Sequence, residues 1–148
     1  MYTSIVVGTD GSSRARAAVQ HAAGLAKLSG ARLHLVSAYK VPSTVGAAMA
    51  PETAIFAAAG DATELHESVQ QLLDGLASEL RRDGVDVETY ACGVAAADAI
   101  CDVAAAQEAD VIVVGDKGMH GARRLLGSVP NSVTHRASCA VLIVPTHA

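Results

Sequence analysis

Residues 110–131 read DVIVVGDKGMHGARRLLGSVPN. The stretch opens as an apolar run at residues 111–114, breaks at Gly115, and carries Gly118 and Gly121 before the basic pair Arg123 and Arg124. It ends at Gly127 and Ser128, just ahead of a helical pattern. A buried strand that feeds a glycine-rich loop and then a helix start is the construction of a phosphate site. Glycine lets the backbone approach closely, and the free N–H groups of a helix N-terminus point at an anion. Charge agrees with this reading. Residues 115–136 hold Lys117, Arg123, Arg124 and Arg136 against Asp116, in a chain whose formal total is -4.

Working outward, short apolar runs alternate with helical spacing. Residues 4–9, SIVVGT, read as a buried strand ended by Gly8 and the Asp10-Gly11 pair. Ser12 or Ser13 can cap the helix that follows, and Gly30 can stop it. Residues 33–39 form the second strand. Residues 40–60, with Pro42, Gly46, Pro51 and Gly60, read as a long unstructured connection of the kind that serves as a lid. Leu65, Val69, Leu72, Leu73, Leu76 and Leu80 mark the clearest helix, ended by Gly84. Residues 85–91 alternate apolar and polar, as a half-exposed edge strand does. Ala97, Ile100, Cys101, Ala104 and Ala105 are read as the inner face of a third helix. Ser128 is read as the cap of a fourth, with Pro130 in its first turn. Ala140–Val144 forms the last strand.

Five strands alternating with four helices predict an α/β fold: three layers, α/β/α, around a five-stranded parallel sheet with right-handed crossovers. Residue patterns leave both 3-2-1-4-5 and 2-1-3-4-5 as strand orders. Either places a ligand at the carboxyl ends of the strands, where the winding changes direction. In the first order Asp10 and Gly115 share one crevice. A length of 148 residues suits one domain spanning 1–148.

Composition and motifs remove several functions. A mildly acidic balance argues against a nucleic-acid binder that relies on bulk charge. No apolar run approaches the ~18 residues of a membrane span, and the start MYTSIVVG lacks the features of a signal peptide, so the expected location is the cytoplasm. The three cysteines, Cys92, Cys101 and Cys139, form no CxxC pair and are expected to be reduced and mostly buried. There is no Walker A loop, no G-x-G-x-x-G, no G-x-S-x-G, and no metal-ligand spacing among the six histidines. What survives is Asp10 with the loop at 115–131. A carboxylate repels phosphate, so the loop and Ser128 suit the phosphates, and Asp10 suits the base or ribose.

Taken together, IVVGTDGS, ADVIVVGDKG, GSVPNSV and the ending CAVLIVP resemble the universal stress protein family over essentially the whole chain. The resemblance implies a Rossmann-like sheet in the order 3-2-1-4-5. One branch of the family binds ATP through a loop written G-2x-G-9x-G-[ST]; some relatives bind other adenine nucleotides, cyclic AMP among them. Carried over, Gly115 and Gly118 match the first two glycines, and Gly127 and Ser128 the final pair. Asp10 matches the acid beside the adenosine. Thr9 and Val36 would border the base, Val129 would help hold phosphate, and Val114 leads into the loop within the same set. One departure stands out: eight residues, not nine, separate Gly118 from Gly127.

The implied ligand is therefore ATP or another adenine nucleotide, AMP or cyclic AMP included, with Mg2+ able to accompany it. The implied role is stress-response regulation, with no catalytic residue singled out and at most slow ATP hydrolysis or autophosphorylation. The alternative is a stress protein that binds no nucleotide and acts through partner or chaperone-like contacts; the shortened loop is its support. An edge strand as apolar as Ala140–Val144 invites pairing with its twin, and the resemblance implies the same homodimer.

Overall fold

The computed structural model describes residues 1–41, 52–116 and 127–146, with 52–61 described by backbone alone. Strands and helices alternate: β1 (Ser4–Gly8), α1 (Ser13–Ser29), β2 (Arg32–Ala38), α2 (Glu52–Arg82), β3 (Val87–Cys92), α3 (Ala96–Ala106), β4 (Val111–Gly115), α4 (Ser128–Arg136) and β5 (Ala140–Val144). The sheet order is β3-β2-β1-β4-β5, every pairing parallel, which settles the choice left open by residue patterns.

Each strand feeds two cores. On β1, Ile5 and Val7 face a cluster shared with α1 and α2, while Val6 faces one shared with α3 and α4. The chain has no Trp and one Phe, so the fully buried side chains are aliphatic: Ile5, Leu33, Leu35, Leu73 and Ile112 are the largest. Each such burial contributes about 1.5–3 kcal/mol. Ala18, Ala22 and Ala26 let α1 lie close on the sheet. Ser12 caps that helix by accepting the N–H of Ala15 at 3.2 Å, and Gly30 ends it in the left-handed region at φ 71.

Two expectations need correction, the connection at 40–60 and the inner face of the third helix. The connection read as unstructured over 40–60 is helical from Glu52 onward; residues 42–51 lie outside the described residues. The run ETAIFAAAGDA is dense in alanine, and that propensity carries the helix through Gly60. The buried stripe of α2 is narrower than its leucines suggest. Leu73 and Ala77 are sealed, whereas Leu65 and Leu72 are each 40% exposed. On α3, Ala99 and Val103 join Ile100 and Ala104 inside, and Ala105 faces out. The three cysteines are free and packed against the core under α3, with only a minor part of each exposed. All three thiols sit above their usual range, burial being the first cause.

The outer strand β3 is half-exposed, as its alternation predicted, and it anchors a polar chain. Arg32 donates to Asp86 at 2.8 Å and to Glu88 at 3.2 Å. The Tyr90 hydroxyl donates to Glu88 at 2.8 Å and faces His34 Nδ1 at 3.0 Å. That hydroxyl has one proton, so it accepts from a protonated Nδ1, which sets the His34 tautomer. Burial, then the Glu88 hydrogen bond, pushes the Tyr90 hydroxyl up to about 12. His34 is 2% exposed. Burial holds its imidazole below the ordinary value, with Glu88 opposing and Arg32 assisting.

The consequence for stability has a definite sign. The unfolded chain binds the His34 proton more tightly than the folded one, so stability falls as pH drops through the unfolded value of about 6.5 and on toward the lowered folded value. Above that window His34 contributes no pH dependence. Urea unfolding at pH 7.5 and 5.5 should show the wild-type midpoint falling relative to that of His34→Gln. An equal fall in both proteins would remove His34 as the titrating group.

Candidate functional site

The pairing of β1 with β4 puts the ends of two neighbouring strands under helices that leave on opposite faces, which opens a crevice at the carboxyl edge. A cavity of about 230 Å³ lies there. Its floor is built from Gly8, Val36, Ala38, Val114 and Gly115. Ala96 and Ile100 of α3 form one wall, and Val129 and Pro130 of α4 form another. Ser12, Arg14 and Ala15 approach from α1, and Thr146 from beyond β5.

Glycines sit where the chain comes closest. A Cβ on Gly8 would stand 2.5 Å from Ile100 Cδ1, and one on Gly115 would stand 2.6 Å from Thr146 Cγ2. At either position a larger residue would force the facing side chain to move, so glycine here serves proximity, not backbone freedom.

The turn after β1 is tied to itself. Thr9 donates its N–H to the carbonyl of Val36 at 2.9 Å, extending the ladder one residue past the strand. Its hydroxyl accepts the N–H of Gly11 at 3.1 Å, and Asp10 Oδ1 accepts the N–H of Ser12 at 2.9 Å. Gly11, at φ 78, supplies the left-handed step. Asp10 is thus a helix-entry residue as well as part of the cavity rim.

On the other side, Asp116 is 4% exposed. Its Oδ1 accepts both the N–H and the hydroxyl of Thr146, each at 2.7 Å, and its own N–H donates to Val144 at 3.0 Å. This clasp holds the chain beyond β5 against the end of β4 and makes Thr146 part of the wall.

Of the residues expected at a site, Thr9, Asp10, Val36, Val114, Gly115 and Val129 line this one cavity. Gly127 and Ser128 stand at the start of α4, next to Val129. Gly118 lies outside the described residues, as do Lys117, His120, Gly121, Arg123 and Arg124. The cap of α4 is corrected: Gly127 occupies the cap position with no side-chain hydrogen bond, and Ser128 is the first helical residue. The N–H groups of Ser128 and Val129 therefore have no acceptor within the helix, and Pro130, with none to offer, fits the same turn.

The sequence reading passed over Ala38, Ile100, Arg14 and Thr146. Two are explained by the fold. Gly115 pairs with Val144 in register, so a residue two positions on must meet the turn after β4. Arg14 lies four before the buried Ala18, on the same helix face. Among the described residues, no group of three or more His, Cys, Asp or Glu side chains could hold a metal ion. No described helix is long and apolar enough to cross a membrane.

Comparison with known proteins adds an independent line. Residues 1–145 match the model of the universal stress protein family. A universal stress protein of Mycobacterium tuberculosis is 36% identical over 149 residues, covering 98% of this chain and 97% of its own. A universal stress protein solved in complex with cAMP is 32% identical, with a TM-score of 0.74 over 99% of this chain and 98% of that one. The hypothetical protein MJ0577 superposes at a TM-score of 0.83 over 100% of this chain and 99% of that one; at 21% identity it attests the fold.

The clasp has a measurable weight. Asp116→Ala leaves two donors of Thr146 without their acceptor, a loss of about 1–3 kcal/mol. Urea unfolding should register that loss, and the Thr146 amide should lose protection from hydrogen exchange. A variant with unchanged midpoint and protection would show that the clasp is incidental.

Proposed function

This chain belongs to the universal stress protein family, and on that footing we propose that it binds an adenine nucleotide in the cavity at the ends of β1 and β4. The observation behind the proposal is the convergence of six expected residues from β1, β2, β4 and α4 on one cavity. Val36, Ala38 and Ile100 offer an apolar slot for the base. Thr9 and Asp10 stand on the rim for the ribose. The N–H groups at the start of α4 that have no acceptor within the helix, with Gly115, Gly127 and Ser128, suit the phosphates. Gly118 belongs to the same proposed set. A similar protein carrying cAMP supports an adenine ligand.

ATP is the proposed ligand within that class. Mg2+, where it takes part, enters with the phosphates. The whole chain, residues 1–148, acts as one nucleotide-binding domain in the cytoplasm, regulating a stress response rather than turning over substrate quickly. Two copies pair through β5, whose residues Val141, Leu142 and Ile143 are half-buried and apolar on an open sheet edge.

Calorimetric titration of stripped protein with ATP, AMP and cAMP should give saturable binding near one ligand per chain. Gly127→Val should weaken it by at least tenfold while leaving the urea midpoint within error. Absence of binding to all three would give the shortened loop its other meaning, a closed site in a protein that works through partners. Sedimentation at micromolar concentration should find a dimer, and a charge placed on the strand by Leu142→Lys should yield monomer. A wild-type monomer would end the pairing proposal.

A further inference from the structure

The first turn of α1 contains no acidic residue, yet it contains Arg14 and Arg16. Cations there oppose the helix dipole, whose positive end they face. Arg16 has a local answer, since its guanidinium donates to Glu79 of α2 at 3.0 Å. Arg14 has none: among the described residues it makes neither a hydrogen bond nor an ion pair.

Its position is informative. Arg14 precedes the fully buried Ala18 by four residues, so it sits one turn earlier on the face of α1 that packs against β1 and β4. The strands have ended at that level, and Arg14 lines the cavity together with Gly115 and Thr146. Among the described lining residues it is the one base, as Asp10 is the one acid. A ligand that keeps its anionic end away from Asp10 brings it toward Gly115 and the start of α4, within the field of Arg14.

We propose that Arg14 is a specificity-determining residue that binds the phosphate end of the nucleotide and makes affinity rise with phosphate charge. This rests on the adenine-nucleotide reading above and adds to it. A guanidinium fork pairs bidentately with a terminal phosphate that has free oxygens and two negative charges. It gains less from a cyclic phosphodiester with one charge, and nothing from adenosine. A bound phosphate would supply the counter-charge that the first turn of α1 lacks.

The test compares Arg14→Gln and Arg14→Lys with wild type by calorimetry, using ATP, cAMP and adenosine at two salt concentrations. Arg14→Gln should lose tenfold or more for ATP, clearly less for cAMP, and nothing for adenosine. The salt dependence of ATP binding should shrink. Arg14→Lys should recover part of the loss. Free Arg14→Gln should unfold at a urea midpoint equal to or above wild type, because a cation has left the first turn. Equal losses for ATP and adenosine, or a lowered midpoint, would assign Arg14 a structural role and overturn the proposal. Unchanged ATP affinity overturns it as well. Wild type that binds neither ATP nor adenosine defeats the nucleotide reading itself, and this inference with it; binding by wild type that is indifferent to Arg14 defeats this inference alone.

Discussion

β1 and β4 lie side by side in parallel, Ile5 against Val111, Val6 against Ile112 and Val7 against Val113, and all six side chains are shut away from water. Two strands of β-branched residues buried on both faces leave little freedom in the layers above and below. α1 approaches closely because it presents alanines. α3 settles onto the end of β1 because Gly8 has no side chain to hold Ile100 off. The same contact delivers the start of α3, the start of α4 and the turn after β1 to one edge. The cavity is thus a by-product of strand order, and the residues around it adjust only its chemistry.

Much of this was legible in the residues because the signals are local. Short apolar runs marked four of the five strands, two of them closed by Gly8 and Gly115, and the alternation at residues 85–91 marked the half-exposed one. Capping chemistry placed the start of α1 at Ser12 or Ser13 and its end at Gly30, and Ser12 is the cap. The site was legible where glycine, aspartate and a strand end coincide, at Asp10 and Gly115. What escaped is non-local or quantitative. The length of α2 turned on propensity outweighing an internal glycine. The cap of α4 turned on a single residue of offset. Thr146 and Arg14 become visible as cavity residues only when β5 is laid beside β4 and α1 is laid across both.

The two faces of the sheet carry different burdens. Beneath α1 and α2 the packing is mainly apolar, with Ser37 buried among it and Gln70 of α2 donating to Thr89 of β3, and Arg16 with Glu79 ties the helices at the rim. Beneath α3 lies the one buried histidine of the described core, joined through Tyr90 and Glu88 to Arg32 at the outer strand. Val36 and Ala38 continue from His34 along the same face of β2 to the cavity floor. Across the top of that face, Arg136 of α4 reaches Asp98 of α3. The buried member, His34, has its ring nitrogen partnered, as burial requires, and the charged groups beyond Tyr90 stay half exposed.

The alanines beneath α1 also bear on how this chain tolerates genetic drift. An alanine codon is a single-base change from those of glycine, valine, serine, threonine, proline, aspartate and glutamate. At Ala18 and Ala22, both fully buried, valine and threonine are too bulky for the gap, proline breaks the helix, and the acids bring charge. Glycine loosens the helix, and serine adds a hydroxyl in need of a partner. An outer-layer helix would ordinarily be the permissive part of an α/β protein. Here nearly every single-nucleotide step at its inner positions leads downhill in stability, so mutational robustness is low in the helix that carries Arg14 and follows the turn of Asp10.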